Sequence, residues 1–100
     1  MIGRVWHAWT KAEDADAFEN FLKATLPTFH RHAGYKHAYV MRVPKEGETE
    51  FLVVTFWDSM EAVRGFAGAD GKSAVILPEA RKLLKKWDEK SLHYEAIQVD

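Results

Sequence analysis

Residues 51–57 read Phe-Leu-Val-Val-Thr-Phe-Trp, and this stretch decides the fold of the chain. It carries no charge, and nearly all of its side chains are aromatic or β-branched, which favours a strand. A strand with one face in water alternates apolar and polar side chains, and this stretch does not alternate. The pattern is therefore typical of a strand that is covered on both faces.

The sequence around this stretch predicts three further strands. Residues 35–43 are rich in β-forming side chains, and residues 44–48, Pro-Lys-Glu-Gly-Glu, have the composition of a turn. A third strand over residues 49–57 then completes a hairpin. Residues 2–9 and 91–99 have a similar composition and predict the first and the last strand.

The first predicted helix follows the first strand. Thr10 and Glu13 have the spacing of a capping box, which predicts the helix start. Pro27 should kink or shorten the last turn, and Gly34 stands where a left-handed residue would end it. Apolar side chains recur every three or four residues between these signals, at Phe18, Phe21, Leu22, Leu26 and Phe29.

Two more helical segments follow the hairpin. Asp58 or Ser59 caps a helix that runs through Gly68, and residues 78–87 begin with proline and predict a short third helix. The resulting order is strand, helix, strand, strand, helix, strand. This predicts an α+β chain with a ferredoxin-like βαββαβ plan, in which helices lie on one face of an antiparallel four-stranded sheet.

Two helices cover only one face of such a sheet. The second face of residues 51–57 then needs another source of cover, and the first strand presents Trp6 to one side and Trp9 to the other. A symmetric dimer that packs sheet on sheet supplies this cover, because one patch serves both subunits. We expect a homodimer; the alternative is a monomer with an unusually apolar outer face.

Composition excludes several classes of function. The chain has 100 residues, 47% of them hydrophobic, which suits one domain over residues 1–100. A net charge of -1 gives no broad attraction to nucleic acid or anionic lipid, and the absence of cysteine removes disulfides and thiolate chemistry. No apolar run has the length of a membrane span, and the first residues lack the order of a signal peptide, so we expect a cytoplasmic protein.

A basic run over residues 81–86 invites a nucleic-acid interpretation, because RNA-recognition motifs share this strand order. Such a motif needs a basic residue followed by exposed aromatic residues on the third strand. Residues 50–54, Glu-Phe-Leu-Val-Val, contain no positive charge. We therefore expect no nucleic-acid partner, and we interpret the basic run as the solvated face of a short helix.

Several short motifs carry a family resemblance over essentially the whole chain. They are Phe56-Trp57-Asp58-Ser59-Met60-Glu61-Ala62, Phe66-Ala67-Gly68, Pro78-Glu79 and His93-Tyr94-Glu95. With the βαββαβ order, they resemble the antibiotic biosynthesis monooxygenase family and, within it, a subgroup of short bacterial proteins. The resemblance implies a dimeric α/β barrel with one pocket per subunit between the sheet and the helices. Some members of this family oxidise polycyclic phenols with molecular oxygen and without metal or flavin, some degrade haem, and some act on small signalling molecules.

The haem-degrading branch uses a strand asparagine, a tryptophan and a helical histidine that ligates iron. Trp57 is a candidate for the tryptophan, but Val5 or its neighbours stand where the asparagine belongs. No histidine occurs between His37 and His93, so the iron ligand of that branch is missing. We expect neither haem nor another cofactor.

An oxygenase without a cofactor lets its substrate supply the electrons. A phenol or enol loses a proton, its carbanion-like form reduces oxygen, and the protein orients the ring and stabilises oxyanions. Histidine titrates near neutral pH and serves as a base, so we expect His37 and His93 as catalytic residues and Tyr39 as a donor to an oxyanion. The alternative is that these histidines are polar spacers on the strands.

Five further residues are predicted to bind the substrate: Arg4, Trp6, His7, Trp57 and Phe66. Arg4 and Trp6 project to the same side of the first strand, which places a charged fork beside an aromatic plane. The structural alternatives are core packing for the aromatic residues and pairing of Arg4 with Glu95 or Asp58. Three histidines on three strands lack the spacing and the neighbouring carboxylate of a metal site, so we expect no metal.

The family resemblance, together with these residues, implies a cofactor-independent monooxygenase that oxidises a planar phenolic or quinol-type compound. The alternative is a dimer of the same scaffold that binds a small molecule without catalysis, or that is purely structural. An open pocket with a titratable group facing its interior favours the enzyme. A pocket filled by Trp6, Trp57 or Phe66 favours the alternative.

Overall fold

The computed structural model describes residues 1–100. Its elements are β1 (Ile2–Lys11), α1 (Ala15–Thr25), β2 (Tyr35–Lys45), β3 (Glu48–Trp57), α2 (Met60–Ala67), α3 (Pro78–Arg81), β4 (Leu84–Trp87) and β5 (Leu92–Glu95). Two 3₁₀ turns, Ala12–Asp14 and Leu26–Arg31, flank α1. No helix combines the length and the apolar character that crossing a membrane requires.

The strands form one antiparallel sheet in the order β2-β3-β1-β4, and β5 pairs with β1 on the same edge as β4. β1 pairs with β3 along its whole length, from Ile2 opposite Trp57 to Lys11 opposite Glu48. β2 and β3 form the predicted hairpin around the turn that contains Gly47. The structure thus confirms the α+β, ferredoxin-like plan with helices on one face of an antiparallel sheet.

The edge of the sheet next to β1 contains a strand that was not predicted. Residues 78–87 were predicted to be helical, but the helix ends at Arg81, and Leu84–Trp87 form β4. This strand pairs with Ala8, Trp9 and Thr10, with a bulge after Trp9. β5 reaches only as far as Val5, so the remaining edge of β1 would otherwise leave backbone groups unpaired.

The predicted capping box does not form. Thr10 is fully buried within β1, and its hydroxyl donates to the carbonyl of Lys11 at 2.8 Å. Pairing with β3 keeps the chain extended through Lys11, and α1 begins at Ala15 without a side-chain cap. Strand pairing therefore overrides the local signal for a helix start.

The predicted end of the first helix is confirmed. The α-helical part stops at Thr25, and Pro27 opens the 3₁₀ turn Leu26–Arg31. Gly34 then takes a positive φ of 85° before β2 begins.

The sheet has two unlike faces. Its inner face, towards α1, carries the even-numbered residues of β1 and the odd-numbered residues of β3. The core forms there, where Phe18 and Leu22 of α1 pack against Ala8, Phe51 and Val53. The rings of Phe18 and Phe51 meet edge to face with centroids 4.9 Å apart.

The outer face is not covered by the chain. Along β3 buried residues alternate with half-buried ones, and Leu52, Val54 and Phe56 belong to the half-buried set. Tyr39 and Tyr94 on neighbouring strands are 61% and 56% exposed. Residues 51–57 are therefore covered on one face only within a single chain.

Candidate functional site

An apolar cavity of about 70 Å³ lies between the inner face of the sheet and the helical layer. Twelve of its 16 lining residues are hydrophobic, so its lining matches an apolar molecule. The lining consists of Arg4, Trp6, Phe18, Phe21, Leu22, Thr25, Leu26, Phe29, Val53, Thr55, Phe66, Val75, Ile76, Leu77, Ala80 and Ser91. Ligand cavities commonly measure about 300–1,000 Å³, so this one must widen to admit a ring system.

Arg4 is the single charged residue of the lining, and it is only 5% exposed. It lies opposite Thr55 of β3 and His93 of β5. Its Nη1 donates to the carbonyl of Gly71 and to Nε2 of His93, the latter at 2.9 Å, and its Nη2 donates to the carbonyl of Ser73 at 2.7 Å. The cavity therefore has one polar end, built around a buried guanidinium.

All of these partners are neutral. No carboxylate lies within 4.0 Å of Arg4, and the expected pairing with Glu95 or Asp58 is wrong, since Asp58 pairs with Lys36 at 2.9 Å. Burial lowers the pKa of Arg4 to about 10, and the charge of Asp70 opposes that shift. Arg4 thus remains a cation at neutral pH.

The segment 71–73 is held against the start of β5 by backbone pairing. The amide of Ser91 donates to the carbonyl of Lys72 at 2.7 Å, and Ser73 forms an antiparallel bridge with Lys90. The backbone amide of Lys72 also donates to the carboxylate of Asp70 at 2.9 Å. These contacts fix two of the carbonyls that receive the guanidinium of Arg4.

His93 lies behind Arg4 and does not line the cavity. Because arginine has no acceptor, Nε2 of His93 must accept this hydrogen bond, which requires the neutral imidazole with its proton on Nδ1. Burial lowers the pKa of His93, and the positive charges of Arg4 and Lys72 lower it further. His93 positions Arg4 in this arrangement.

The three aromatic residues predicted to bind substrate have different positions. Trp6 lines the cavity, and its Nε1 donates to the carbonyl of Asp88 at 2.7 Å. Phe66 also lines the cavity, with its ring centroid 5.8 Å from Cζ of Arg4. Trp57 is fully buried beneath Phe66, with 5.0 Å between the ring centroids, and is absent from the lining.

The remaining predicted residues lie on the outer face. The ring of His37 packs on Phe56 at 4.8 Å, and Tyr39 is largely exposed beside it. His7 has its Nδ1 3.2 Å from a carboxylate oxygen of Asp88. The structure therefore does not bring His7, His37 and Tyr39 to the cavity, and no histidine or tyrosine faces its interior.

Two parts of the site were missed by sequence reasoning. Thr55 and Ser91 supply hydroxyls in the lining, and Thr55 Oγ1 also accepts from Nε1 of Trp57 at 2.9 Å. Residues 75–77, Val-Ile-Leu, close one wall of the cavity. Their apolar run directly before Pro78 is the signal that could have found them.

Metal ligands are not grouped in this structure, since no three His, Cys, Asp or Glu side chains are placed to hold an ion. The cavity lining contains no histidine, cysteine, methionine or tyrosine. Its side chains therefore include no ligand suited to a haem iron.

Solved structures share this fold at low sequence identity. The heme-degrader MhuD from Mycobacterium tuberculosis, whose structure holds two hemes in its active site, is 18% identical with a TM-score of 0.70, and the match covers 98% of this chain and 97% of that one. SnoaB from Streptomyces nogalater, a cofactor-independent oxygenase, is 16% identical with a TM-score of 0.64, and the match covers 98% and 95%. No curated protein sequence matches the chain.

The family is shown by the sequence itself. The model of the antibiotic biosynthesis monooxygenase family matches residues 1–75, from β1 to the cavity wall that precedes α3. That match covers most of the chain and includes the strand that carries Arg4. The chain therefore belongs to the antibiotic biosynthesis monooxygenase family.

Proposed function

We propose that this protein is a homodimeric oxygenase that uses no cofactor and oxidises a planar phenolic or quinol-type compound in the cavity beside Arg4. One observation carries the proposal. A buried guanidinium with no carboxylate partner lies at one end of a cavity that is otherwise apolar and rich in aromatic side chains. Such an end stabilises an oxyanion that develops on a flat ring.

The substrate supplies the electrons in this reaction. Its phenol or enol form loses a proton, and the resulting electron-rich carbon reduces dioxygen. For a ring methylene, the carbon loses four electrons and becomes a carbonyl. Dioxygen accepts these four electrons, and one oxygen atom enters the carbonyl while the other leaves as water.

Arg4 promotes loss of the substrate proton in this scheme without accepting it. The lining offers no group that titrates near neutral pH, so the substrate proton passes to water. A cation beside the substrate oxygen lowers the pKa of that hydroxyl, because it stabilises the charged form. Thr55, opposite Arg4 in the sheet, and Ser91 add hydroxyls to the lining. His93 then acts through Arg4.

The outer face supports the homodimer. Leu52, Val54 and Phe56 form an apolar row along β3. On the same face of the sheet, Tyr39 of β2 and Leu92 of β5 are 61% and 55% exposed. An apolar surface of this kind on a single chain is typical of an interface between proteins. A second copy that packs sheet on sheet would cover it and give each residue of 51–57 an apolar neighbour.

A second function has its own observation. The cavity is narrow, and Trp6 and Phe66 occupy part of its wall. The histidine or tyrosine expected to face the interior is also absent from the lining. Both features favour a dimer of the same scaffold that binds a small molecule without catalysis. The two functions differ in whether a bound ring consumes oxygen.

Oxygen uptake tests the proposal. The native protein is mixed with anthrone, quinol and flavonoid-type compounds in the presence of a metal chelator and without flavin. We expect uptake above the protein-free rate with at least one of them, and a loss of about tenfold or more in Arg4→Gln. Arg81→Gln makes the same chemical change on an exposed residue outside the cavity and should retain the rate. Tight binding with no uptake from any compound would leave only the binding function.

A further inference from the structure

We infer that residues 75–77, Val-Ile-Leu, form a flap that opens to admit a ligand to the cavity, an inference that rests on the proposed function for its assumption that a ring compound occupies this cavity. The flap supplies the route by which the compound enters. Ile76 keeps that route closed when the cavity is empty.

The flap is the part of the lining that lies nearest to solvent. Val75 and Leu77 line the cavity, yet they are 44% and 39% exposed. The lining residues that belong to the core, such as Phe18 of α1 and Val53 of β3, are buried. At the flap, one layer of side chains therefore separates the cavity from water.

The backbone of the flap lacks the hydrogen bonds that hold the residues on either side of it. Before the flap, the amide of Ala74 donates to the carbonyl of Glu89 at 2.9 Å. After it, the carbonyl of Leu77 accepts from amides of the first turn of α3. Between these points, the three amides of residues 75–77 and the first two carbonyls form no backbone hydrogen bond. A segment of this kind opens locally at low cost in free energy.

Widening the cavity at its other walls would disrupt the core. β1 and β3 are paired along their whole length. Phe18, Leu22 and Leu26 bury their side chains in the cluster that joins the helical layer to the sheet. Since a cavity of about 70 Å³ must widen to hold a ring system, it widens at the flap.

Ile76 holds the flap in its closed position. Its side chain is half-buried and packs against the core cluster, whereas its two neighbours in the flap are exposed. Burial of this apolar side chain stabilises the closed form. A shorter side chain at position 76 should therefore increase the population of the open form without changing any charge.

Binding kinetics test the flap. Stopped-flow quenching of tryptophan fluorescence follows the entry of naphthalen-2-ol, a two-ring phenol, since Trp6 lines the cavity. If opening precedes binding, the observed rate levels off as the naphthol concentration rises, because opening then limits the rate. We expect this plateau in the native protein, and a plateau at least about fivefold higher in Ile76→Ala.

Two control variants separate opening of the flap from other effects. Ile97→Ala makes the same change on an exposed side chain outside the cavity and should keep the native plateau. Val53→Ala removes a contact from the wall on β3, so it should speed release of the naphthol and leave the plateau unchanged. If Ile76→Ala fails to fold, Ile76→Val removes a single carbon from the same side chain and should raise the plateau by a smaller factor.

Three results would overturn the flap: an observed rate that rises linearly with naphthol concentration, a plateau that is the same in the Ile76 variants and the native protein, or no binding of the naphthol. Oxygen uptake is a separate readout. A plateau that rises in the Ile76 variants without uptake from any compound rejects the oxygenase alone, and uptake together with a linear rate rejects the flap alone.

Discussion

At the scale of single residues, the site depends on how the Arg4 guanidinium is oriented. Its Nη1 and Nη2 are fixed by His93 and by the carbonyls of Gly71 and Ser73. Because side chains alternate between the two faces of a strand, the sequence was enough to predict that Arg4 and Trp6 share a face. The partners of Arg4 could not be predicted, because they come from residues more than 60 positions away in the chain.

Nε2 of His93 accepts a hydrogen bond from Nη1 of Arg4. Protonation of His93 would put a hydrogen on Nε2, so that two donors would face each other. Because the pKa of His93 is lowered on folding, the unfolded chain binds more protons between pH 6.5 and the lower folded pKa. The free energy of unfolding should therefore fall as the pH drops through this window. Chemical denaturation at a series of pH values measures the slope.

His93→Gln keeps a side-chain acceptor for Arg4 and removes the titration. We expect a flatter dependence of stability just below pH 6.5 in this variant. Carboxylates whose pKa is lowered, such as Glu19 and Glu50, contribute mainly as the pH falls through their ordinary value of 4.5, and their contribution is the same in both proteins. An unchanged slope in His93→Gln would show that His93 does not titrate as described.

At the scale of elements, the turn before β2 fixes the position of α2. Gly34 has a positive φ of 85°, and its carbonyl accepts from the amide of Asp58 at 2.8 Å. A Cβ at Gly34 would lie 2.5 Å from Cβ of Ala62 in α2. The close approach of this turn and α2 therefore requires glycine.

Gly34→Ala should lower the stability more than Gly47→Ala does. Both positions have a positive φ, but a Cβ at Gly47 meets nothing within 4 Å. Gly47→Ala is expected to cost on the order of 1 kcal/mol from backbone strain. Gly34→Ala should cost about 1–3 kcal/mol more, because α2 must shift. Thermal and chemical unfolding of both variants measure the difference, and equal losses would contradict the steric account.

Short-range sequence patterns predicted some helices and strands correctly and others wrongly. Ser59 is the N-cap of α2 as expected, since its Oγ accepts from the amide of Ala62 at 3.2 Å. Leu83, Leu84 and Trp87 have helical spacing, yet β4 forms because the edge of β1 needs partners. The capping box at Thr10 failed for the same reason. Pairing between distant segments decides both cases.

At the scale of the whole molecule, the sheet separates the cavity from the outer face. The sequence could not predict which face meets the helices, because both faces of the hairpin are apolar. Tyr39 and Val40 are neighbours on opposite faces, as are Leu52 and Val53. His37 and Tyr39 were expected at the site for this reason, and they lie on the outer face.

The outer face is where the homodimer can be tested. Leu52→Glu places a charge in the middle of the apolar row and should convert the dimer to a monomer at micromolar concentration. Val99→Glu adds the same charge at a position that is 89% exposed near the chain end, and it should leave the dimer intact. Sedimentation equilibrium measures both masses. A native protein that sediments as an 11.5 kDa particle would contradict the dimer.

The proposed reaction is tested most directly by following both atoms of isotopically labelled dioxygen during turnover of anthrone, with a chelator present and no flavin. The account predicts that the native protein places one labelled atom in the product carbonyl and the other in water, and that Arg4→Gln loses most of this activity. Product formation at the protein-free rate, although anthrone occupies the cavity, would contradict it.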